Sequence, residues 1–171
     1  MVDIKFSNEE CRSIINLSDI LIENHSSTIF RGNSKEFDYY FYTVERLDST
    51  QWIFDKLHLY LIQYFPESRM DIHPQLYLHK YLPGCRFEIH NDSTTHPDQL
   101  INIGVCLNDN YKGGEFIFYS PYEILPKVTG TIYHLDSKRD HEVLRIEEGE
   151  RWSLITFLKA KDLGIVSKSL I

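Results

Sequence analysis

Cysteine is scarce in this sequence. Only Cys11, Cys85 and Cys106 occur among 171 residues, and their spacing is irregular. Disulfide-stapled folds and thiolate zinc sites use more cysteines at shorter, repeated intervals. We therefore predict reduced and mostly buried thiols that carry no chemistry.

Long apolar runs are also missing. The N-terminal residues MVDIKFSNEE include acids and lack the apolar segment of a signal peptide, and no apolar run is long enough to span a bilayer. The sequence therefore predicts no membrane association and a cytoplasmic location.

Positive charge is in short supply as well. The 18 lysines and arginines are outnumbered by 25 acids, which gives a formal net charge of -7, and the longest basic cluster is Lys138-Arg139. Proteins bind nucleic acids chiefly by neutralising phosphates with lysine and arginine. We therefore expect no nucleic-acid partner.

What is present indicates a folded protein with one hydrophobic core. Hydrophobic residues make up 42% and aromatic residues 13% of the sequence, and a chain of 171 residues can fold without disulfides. We predict a single domain over residues 1–171, with N-terminal helical support in residues 1–72 and a β-barrel core in residues 73–160.

Hydrophobic periodicity and turn residues predict the elements. Apolar spacings of three and four predict helices over residues 7–24 and 49–65, the second ended by Pro66, with a strand at residues 37–43 between them. Runs rich in aromatic and β-branched residues, separated by turn signals, then predict strands at residues 76–82, 86–90, 100–107, 115–119, 128–135, 141–146 and 152–158. This pattern is typical of an all-β barrel or sandwich with helices packed on one face.

A motif that can bind metal, His-x-Asp, occurs three times, at residues 90–92, 96–98 and 134–136. Alternate residues of a strand share a face, so His90 and Asp92, at the end of a predicted strand, can reach one metal ion. The second copy lies in a polar run broken by proline, which predicts a solvated loop. The third copy ends a strand but has no fitting partner downstream, so we predict a structural role for its histidine.

The best candidate for a third ligand is His141, because Arg151 follows it ten residues later. Two histidines and one carboxylate form the facial triad of non-haem iron(II) oxygenases, which leaves positions open for a chelating 2-oxo acid and dioxygen. A hairpin is predicted between residues 141–146 and 151–158. If Arg145 and Arg151 lie opposite each other in it, Arg151 is about 13 Å from His141. An arginine side chain and an extended five-carbon diacid can together span that distance. The planar guanidinium then binds one carboxylate of the diacid through two hydrogen bonds.

Five short motifs follow one another in a fixed order. They are Lys80-Tyr81-Leu-Pro-Gly84, His90-Asn-Asp92, Gly113-Gly-Glu115, Gly130-Thr-Ile-Tyr, and His141 followed by Gly149-Glu-Arg151. This ordered set, within residues 77–159, resembles the catalytic domain of the prolyl 4-hydroxylase-like 2-oxoglutarate/iron(II) oxygenases.

The resemblance implies a mainly β protein: a double-stranded β-helix, or jelly-roll barrel, supported by N-terminal helices. It implies that His90, Asp92 and His141 bind iron(II). It also implies that Arg151 and Tyr81 bind 2-oxoglutarate, with ascorbate as a candidate additional cofactor. The implied reaction uses dioxygen to hydroxylate a substrate carbon, on a prolyl residue of a peptide or protein, and releases succinate and CO2.

The resemblance also places the substrate across the barrel mouth, near residues 93–100 and 108–114. Two departures from the family pattern bear on the pockets. Cys106 stands where relatives often carry an aromatic or aliphatic residue, and Phe157 stands where many carry tryptophan.

Three other functions stay open from the sequence. A free amino acid or another small molecule could replace the peptide as the hydroxylated substrate. Repair of alkylated nucleic acid is favoured by the six-residue spacing of Arg145 and Arg151 and disfavoured by the acidic net charge. The last is a non-enzymatic β-barrel module that binds a metal or ligand, with incidental histidines or a structural zinc.

Overall fold

The computed structural model describes residues 4–28, 37–66, 72–94 and 97–159. Helix α1 covers Asn8–Ile15 and is followed by a 3-10 turn at Asn16–Asp19. Helix α2 covers Gln51–Tyr64. In the described ranges, no helix combines the length and the apolar surface that a bilayer crossing requires.

Helix α1 begins with a capping box. The Ser7 hydroxyl accepts a hydrogen bond from the Glu10 backbone N–H at 3.1 Å, and the Glu10 carboxylate accepts one from the Ser7 N–H at 2.6 Å. This reciprocal pair satisfies N–H groups that the start of a helix leaves unbonded. The predicted helix over residues 7–24 is therefore right at its start but too long. The helix ends at Ile15 and the 3-10 turn follows it, whereas Ile22, which extended the apolar pattern in the sequence, is 82% exposed and precedes a strand.

Within the described ranges the structure contains twelve strands. They are β1 Asn24–Thr28, β2 Phe37–Glu45, β3 Gln75–Tyr81, β4 Phe87–His90, β5 Gln99–Cys106, β6 Lys112–Gly113, β7 Phe116–Phe118, β8 Glu123–Ile124, β9 Ile132–Asp136, β10 His141–Val143, β11 Ile146–Glu148 and β12 Arg151–Lys159. The predicted strands are confirmed with shifted ends, except that residues 141–146 are divided between β10 and β11. The short strands β1, β6 and β8 were not predicted.

Ten of these strands form one antiparallel sheet that curls on itself. Its order is β8-β7-β10-β4-β2-β3-β12-β5-β9, with β1 paired to β2, while β6 and β11 form a separate pair. The ring of Phe116 in β7 packs against Tyr133 in β9 with centroids 5.4 Å apart, so the two ends of the sheet face each other. The predicted double-stranded β-helix is confirmed.

Because β2 lies between β4 and β3, residues 1–72 supply a central strand as well as both helices. The boundary predicted at residue 72 stays a prediction.

The curled sheet separates an outer core from an inner cavity. Side chains alternate along each strand, so Leu154 of β12 packs outwards in one cluster with Leu57 and Leu61 of α2. Arg151 and Ser153 of the same strand point inwards and line the cavity. The helices therefore support the sheet from outside, and polar side chains can gather inside it.

The predicted hairpin between residues 141–146 and 151–158 is wrong. Strand β10 pairs with β4 and β7, whereas β12 pairs with β3 and β5. After β10 the chain turns away, because the Ile146 N–H bonds to the Cys85 carbonyl at 2.9 Å and β11 then pairs with β6. The separation of about 13 Å estimated from that hairpin therefore has no basis in the fold.

We predict that Leu61→Ala lowers the free energy of unfolding by about 2–5 kcal/mol, because Leu61 is fully buried and its truncation leaves a cavity. Leu59→Ala is the matched control, since Leu59 lies on the same helix and is 58% exposed. It should change the free energy of unfolding by less than about 0.5 kcal/mol. Urea denaturation measures both variants, and equal losses would contradict this packing of α2.

Candidate functional site

Three potential metal ligands meet where two strands pair. His90 ends β4 and His141 begins β10, and the two residues lie opposite each other in the antiparallel register. Asp92 follows β4 in a 3-10 turn at Asp92–Thr94. One side-chain ligand atom from each of the three residues lies within 4.8 Å of the others. The residues selected from the sequence therefore converge on one point.

Hydrogen bonds fix both imidazole rings of this cluster. Nδ1 of His90 lies 2.8 Å from the Glu88 carbonyl oxygen, and Nδ1 of His141 lies 3.0 Å from the Arg139 carbonyl oxygen. A carbonyl oxygen can only accept, so each Nδ1 carries a proton, and in the neutral form of either ring Nε2 is the nitrogen with a free lone pair. Both Nε2 atoms lie 3.6 Å from a carboxylate oxygen of Asp92. The two lone pairs and the carboxylate therefore face a common space.

Asp92 is anchored from the opposite part of the sheet. The Asn102 side-chain N–H donates to Asp92 Oδ2, and the Ser137 hydroxyl donates to the Asn102 side-chain oxygen at 3.0 Å. Both Asn102 and Ser137 are buried. Burial by itself would raise the pKa of Asp92, but the two adjacent imidazoles and the Asn102 amide hold that pKa below its usual value. Asp92 is therefore anionic at neutral pH.

Two histidines of the cavity are neutral at the same pH. Burial, reinforced by the neighbouring His90, lowers the pKa of His141. Burial, reinforced by Arg151, lowers the pKa of His79 to about 3. Among the described residues that line the cavity, Asp92 is the one carboxylate and Arg151 the one guanidinium.

Arg151 is buried without an acidic partner. It lies in β12 directly opposite Tyr81 of β3 and is 3% exposed. Its guanidinium lies 5.3 Å from the Tyr81 ring centre and 5.8 Å from that of Phe116, and Nη1 donates to the Ser153 hydroxyl at 3.1 Å. No carboxylate of the described residues lies within ion-pair distance of this guanidinium. Because an unpaired buried charge is costly, the site fits an anionic ligand.

The ligand cluster and Arg151 line one cavity of about 820 Å³, a size typical of small-molecule sites. Aromatic rings form much of its wall, among them Tyr39, Phe41, Tyr77, Phe87 and Phe157. Of the two segments predicted at the barrel mouth, residues 93–100 contribute Thr94 and Gln99 to the lining, whereas residues 108–114 contribute none.

The other two His-x-Asp motifs lie elsewhere. His134 belongs to the outer layer, where its Nδ1 lies 2.9 Å from the hydroxyl oxygen of Tyr60 in α2. This contact agrees with the predicted structural role. His96 lies outside the described residues, and Asp98 is exposed.

Sequence reasoning missed several residues of the cavity, among them Asn102 and Tyr133. Asn102 is a polar residue within the apolar run of β5, and such a residue indicates a buried hydrogen-bond partner. That signal was available in the sequence. Tyr133 ends the Gly130-Thr-Ile-Tyr motif, but nothing there marks its hydroxyl as a binding group, because aromatic residues are common in strands.

The part of the chain that contains the site matches a known protein family. Residues 76–159 match the sequence model of the 2OG-Fe(II) oxygenase superfamily. A search of curated proteins gives no match.

Several solved structures share the fold. An oxidoreductase of the 2OG-Fe(II) oxygenase family from Burkholderia pseudomallei is 20% identical with a TM-score of 0.69, covering 89% of this chain and 79% of that one. A Pseudomonas putida prolyl-4-hydroxylase is 17% identical with a TM-score of 0.69, covering 93% and 90%. A Trichoplax adhaerens prolyl hydroxylase, in complex with a hypoxia inducible factor oxygen degradation domain peptide fragment, is 12% identical with a TM-score of 0.71, covering 98% and 86%. At these identities the likeness establishes a common fold.

We predict that His90→Ala and His141→Ala each weaken iron(II) binding by more than about 100-fold, since loss of a residue that merely orients a ligand already costs roughly 10–100-fold. Anaerobic calorimetric titration with iron(II) measures the affinity. His134→Gln is the control, because it alters a histidine of the same motif on the outer layer and should bind iron(II) as the wild type does. Wild-type affinity in either alanine variant would remove that histidine from the ligand set.

Proposed function

We propose that this chain is a 2OG-Fe(II) oxygenase, since residues 76–159 match the sequence model of that superfamily, and that it is a dioxygenase that hydroxylates a prolyl residue in a peptide or protein. One observation carries the proposal. A cluster of two histidines and one carboxylate shares a cavity with a buried arginine for which no described residue supplies a carboxylate. The cluster suits a cation and the arginine suits an anion.

The donor set fits iron(II). His90 and His141 offer imidazole nitrogens and Asp92 offers a carboxylate, which is the facial triad of non-haem iron(II) oxygenases. No fourth histidine, cysteine or acid of the described residues joins this group. A structural zinc site normally closes with four protein ligands, so an incomplete set favours a site that binds a further ligand.

The part of the cavity around Arg151 fits 2-oxoglutarate. A carboxylate bound by Arg151 in two parallel hydrogen bonds would remove the cost of leaving this guanidinium unpaired. Tyr81, which faces Arg151 across the β3–β12 pair, is proposed to hydrogen-bond to the same co-substrate.

Iron(II) would supply the oxidising chemistry, with 2-oxoglutarate and dioxygen converted to succinate, CO2 and an oxidant for a carbon–hydrogen bond. The residues of the chain position the reactants. Arg151 would bind the distal carboxylate of the diacid and would thereby orient its keto acid end towards the ligand cluster. Asp92 balances part of the metal charge, and the aromatic wall limits the access of water to the site.

A prolyl substrate is proposed for two reasons. Two of the structures with this fold are prolyl hydroxylases, and one of them is a complex with a peptide fragment. In addition, the cavity wall includes the aromatic rings of Tyr39, Tyr77 and Phe157, and aromatic rings suit packing against a pyrrolidine ring. The peptide backbone would cross the mouth beside Thr94 and Gln99.

We predict that the protein adds one oxygen atom to prolyl residues when it is incubated with iron(II), 2-oxoglutarate, dioxygen and a library of proline-containing peptides. Mass spectrometry detects the product, and succinate should form in equal amount. His141→Ala is the inactive control. Oxygen addition to free amino acids alone would contradict the peptide substrate but keep the dioxygenase. Absence of succinate in a protein that binds iron(II) would contradict the dioxygenase and favour a binding module.

We predict that Arg151→Gln raises the KM for 2-oxoglutarate by about 30-fold or more, because breaking a buried charged pair costs roughly 2–5 kcal/mol. Iron(II) affinity should stay at the wild-type value. Arg145→Gln is the matched control, since Arg145 bonds to the Gly84 carbonyl outside the cavity and should leave this KM unchanged. Steady-state succinate formation measures both, and an unchanged KM in Arg151→Gln would refute the carboxylate role.

A further inference from the structure

Tyr133 has a buried hydroxyl that no described residue satisfies. The residue lies in β9 with its side chain lining the cavity and is 7% exposed. Its hydroxyl oxygen makes no hydrogen bond within the part of the chain that the structure describes. Burying an unbonded hydroxyl costs free energy, so such a group in a cavity wall points to a missing partner.

Gly104 on the neighbouring strand explains the position of this ring. It lies in β5 directly opposite Tyr133 in the register. A Cβ atom at Gly104 would lie 2.2 Å from Cζ and 2.3 Å from the hydroxyl oxygen of Tyr133, so the ring occupies the space of the absent side chain. The ring also packs against Phe116 and Phe118, with centroids 5.4 and 6.4 Å away. The hydroxyl is therefore held in a defined place beside the β5 backbone.

Arg151 is the charged group that shares a contact with Tyr133. The Phe116 ring centre lies 5.4 Å from the Tyr133 ring centre and 5.8 Å from the Arg151 guanidinium, and both residues line the same cavity. Burial raises the pKa of Tyr133, so the phenol keeps its proton and can donate a hydrogen bond. A carboxylate has lone pairs on both oxygens, so it can accept from the guanidinium and from the phenol together.

We propose that Tyr133 is a further ligand-binding residue of the cavity, and that its hydroxyl donates a hydrogen bond to the distal carboxylate of the diacid held by Arg151. The inference rests on the proposed function, since it takes 2-oxoglutarate as that diacid. Gly104 makes the arrangement possible, because a side chain there would displace the ring. Cys106, the next inner-face residue of β5, offers only a weak S–H donor and cannot replace the phenol.

The test compares the wild type with Tyr133→Phe for binding of two 2-oxo acids to the Mn(II)-loaded protein, by isothermal titration calorimetry. 2-Oxoglutarate carries the distal carboxylate, whereas 2-oxopentanoate has the same keto acid end and a methyl group in place of that carboxylate. We expect Tyr133→Phe to weaken 2-oxoglutarate binding about tenfold and to leave 2-oxopentanoate binding unchanged. Without either acid, its melting temperature should equal or exceed the wild-type value, because the variant no longer buries an unbonded hydroxyl.

Tyr42→Phe is the matched control. Tyr42 is 3% exposed on the outer face of the same sheet, and its hydroxyl donates to Glu23. Its replacement should lower the melting temperature and leave both affinities unchanged. Equal 2-oxoglutarate affinities of wild type and Tyr133→Phe, or equal losses for both acids, would overturn the role of Tyr133 and leave the proposed function standing. No 2-oxoglutarate binding to the wild type would overturn both proposals.

Discussion

The backbone pairing of β4 with β10 places His90 opposite His141, and the geometry of the site depends on this register. Side chains alternate along a strand, so a slip of one residue would turn one histidine out of the cavity. Asp92 then needs only the short turn after β4 to reach the same point. The sheet holds this register because β10 is paired on both sides, with β4 and with β7. A cluster assembled from distant parts of the chain is thereby fixed by main-chain hydrogen bonds.

Charge explains why the two parts of the cavity suit different ligands. Asp92 is a partly buried anion that accepts a hydrogen bond from the Asn102 amide, and it retains room for a cation. Arg151 is a buried cation that the described residues leave without an acid. A divalent metal ion with a doubly charged 2-oxo diacid would balance both groups within an apolar wall. Neither ligand alone achieves this balance, which favours binding of the two together.

The sequence predicted the fold and the metal-ligand cluster better than the path of the chain between them. The His-x-Asp spacing and the order of motifs were enough to select His90, Asp92 and His141, although Asp92 reaches the cluster from the 3-10 turn after β4 and not from the strand itself. The hairpin prediction failed because strand pairing is decided by contacts distant in sequence, such as the bond from Ile146 to Cys85, which local turn signals do not encode. Tyr133 was missed for a similar reason: its significance depends on a glycine that is opposite it only in the folded sheet.

The two segments that carry the ligands are also tied to each other directly. The Ser93 N–H bonds to the Ser137 carbonyl at 3.1 Å, and the Asn91 amide donates to the Asp140 carboxylate at 2.9 Å. These crosslinks join the loop after β4 to the loop before β10 without using any ligand atom. Metal coordination is therefore not needed to order the backbone of these two loops, in contrast to small domains that fold only when they bind their metal ion. The barrel should keep its shape while the ion exchanges, so an ion of the wrong element can leave and be replaced without unfolding the protein.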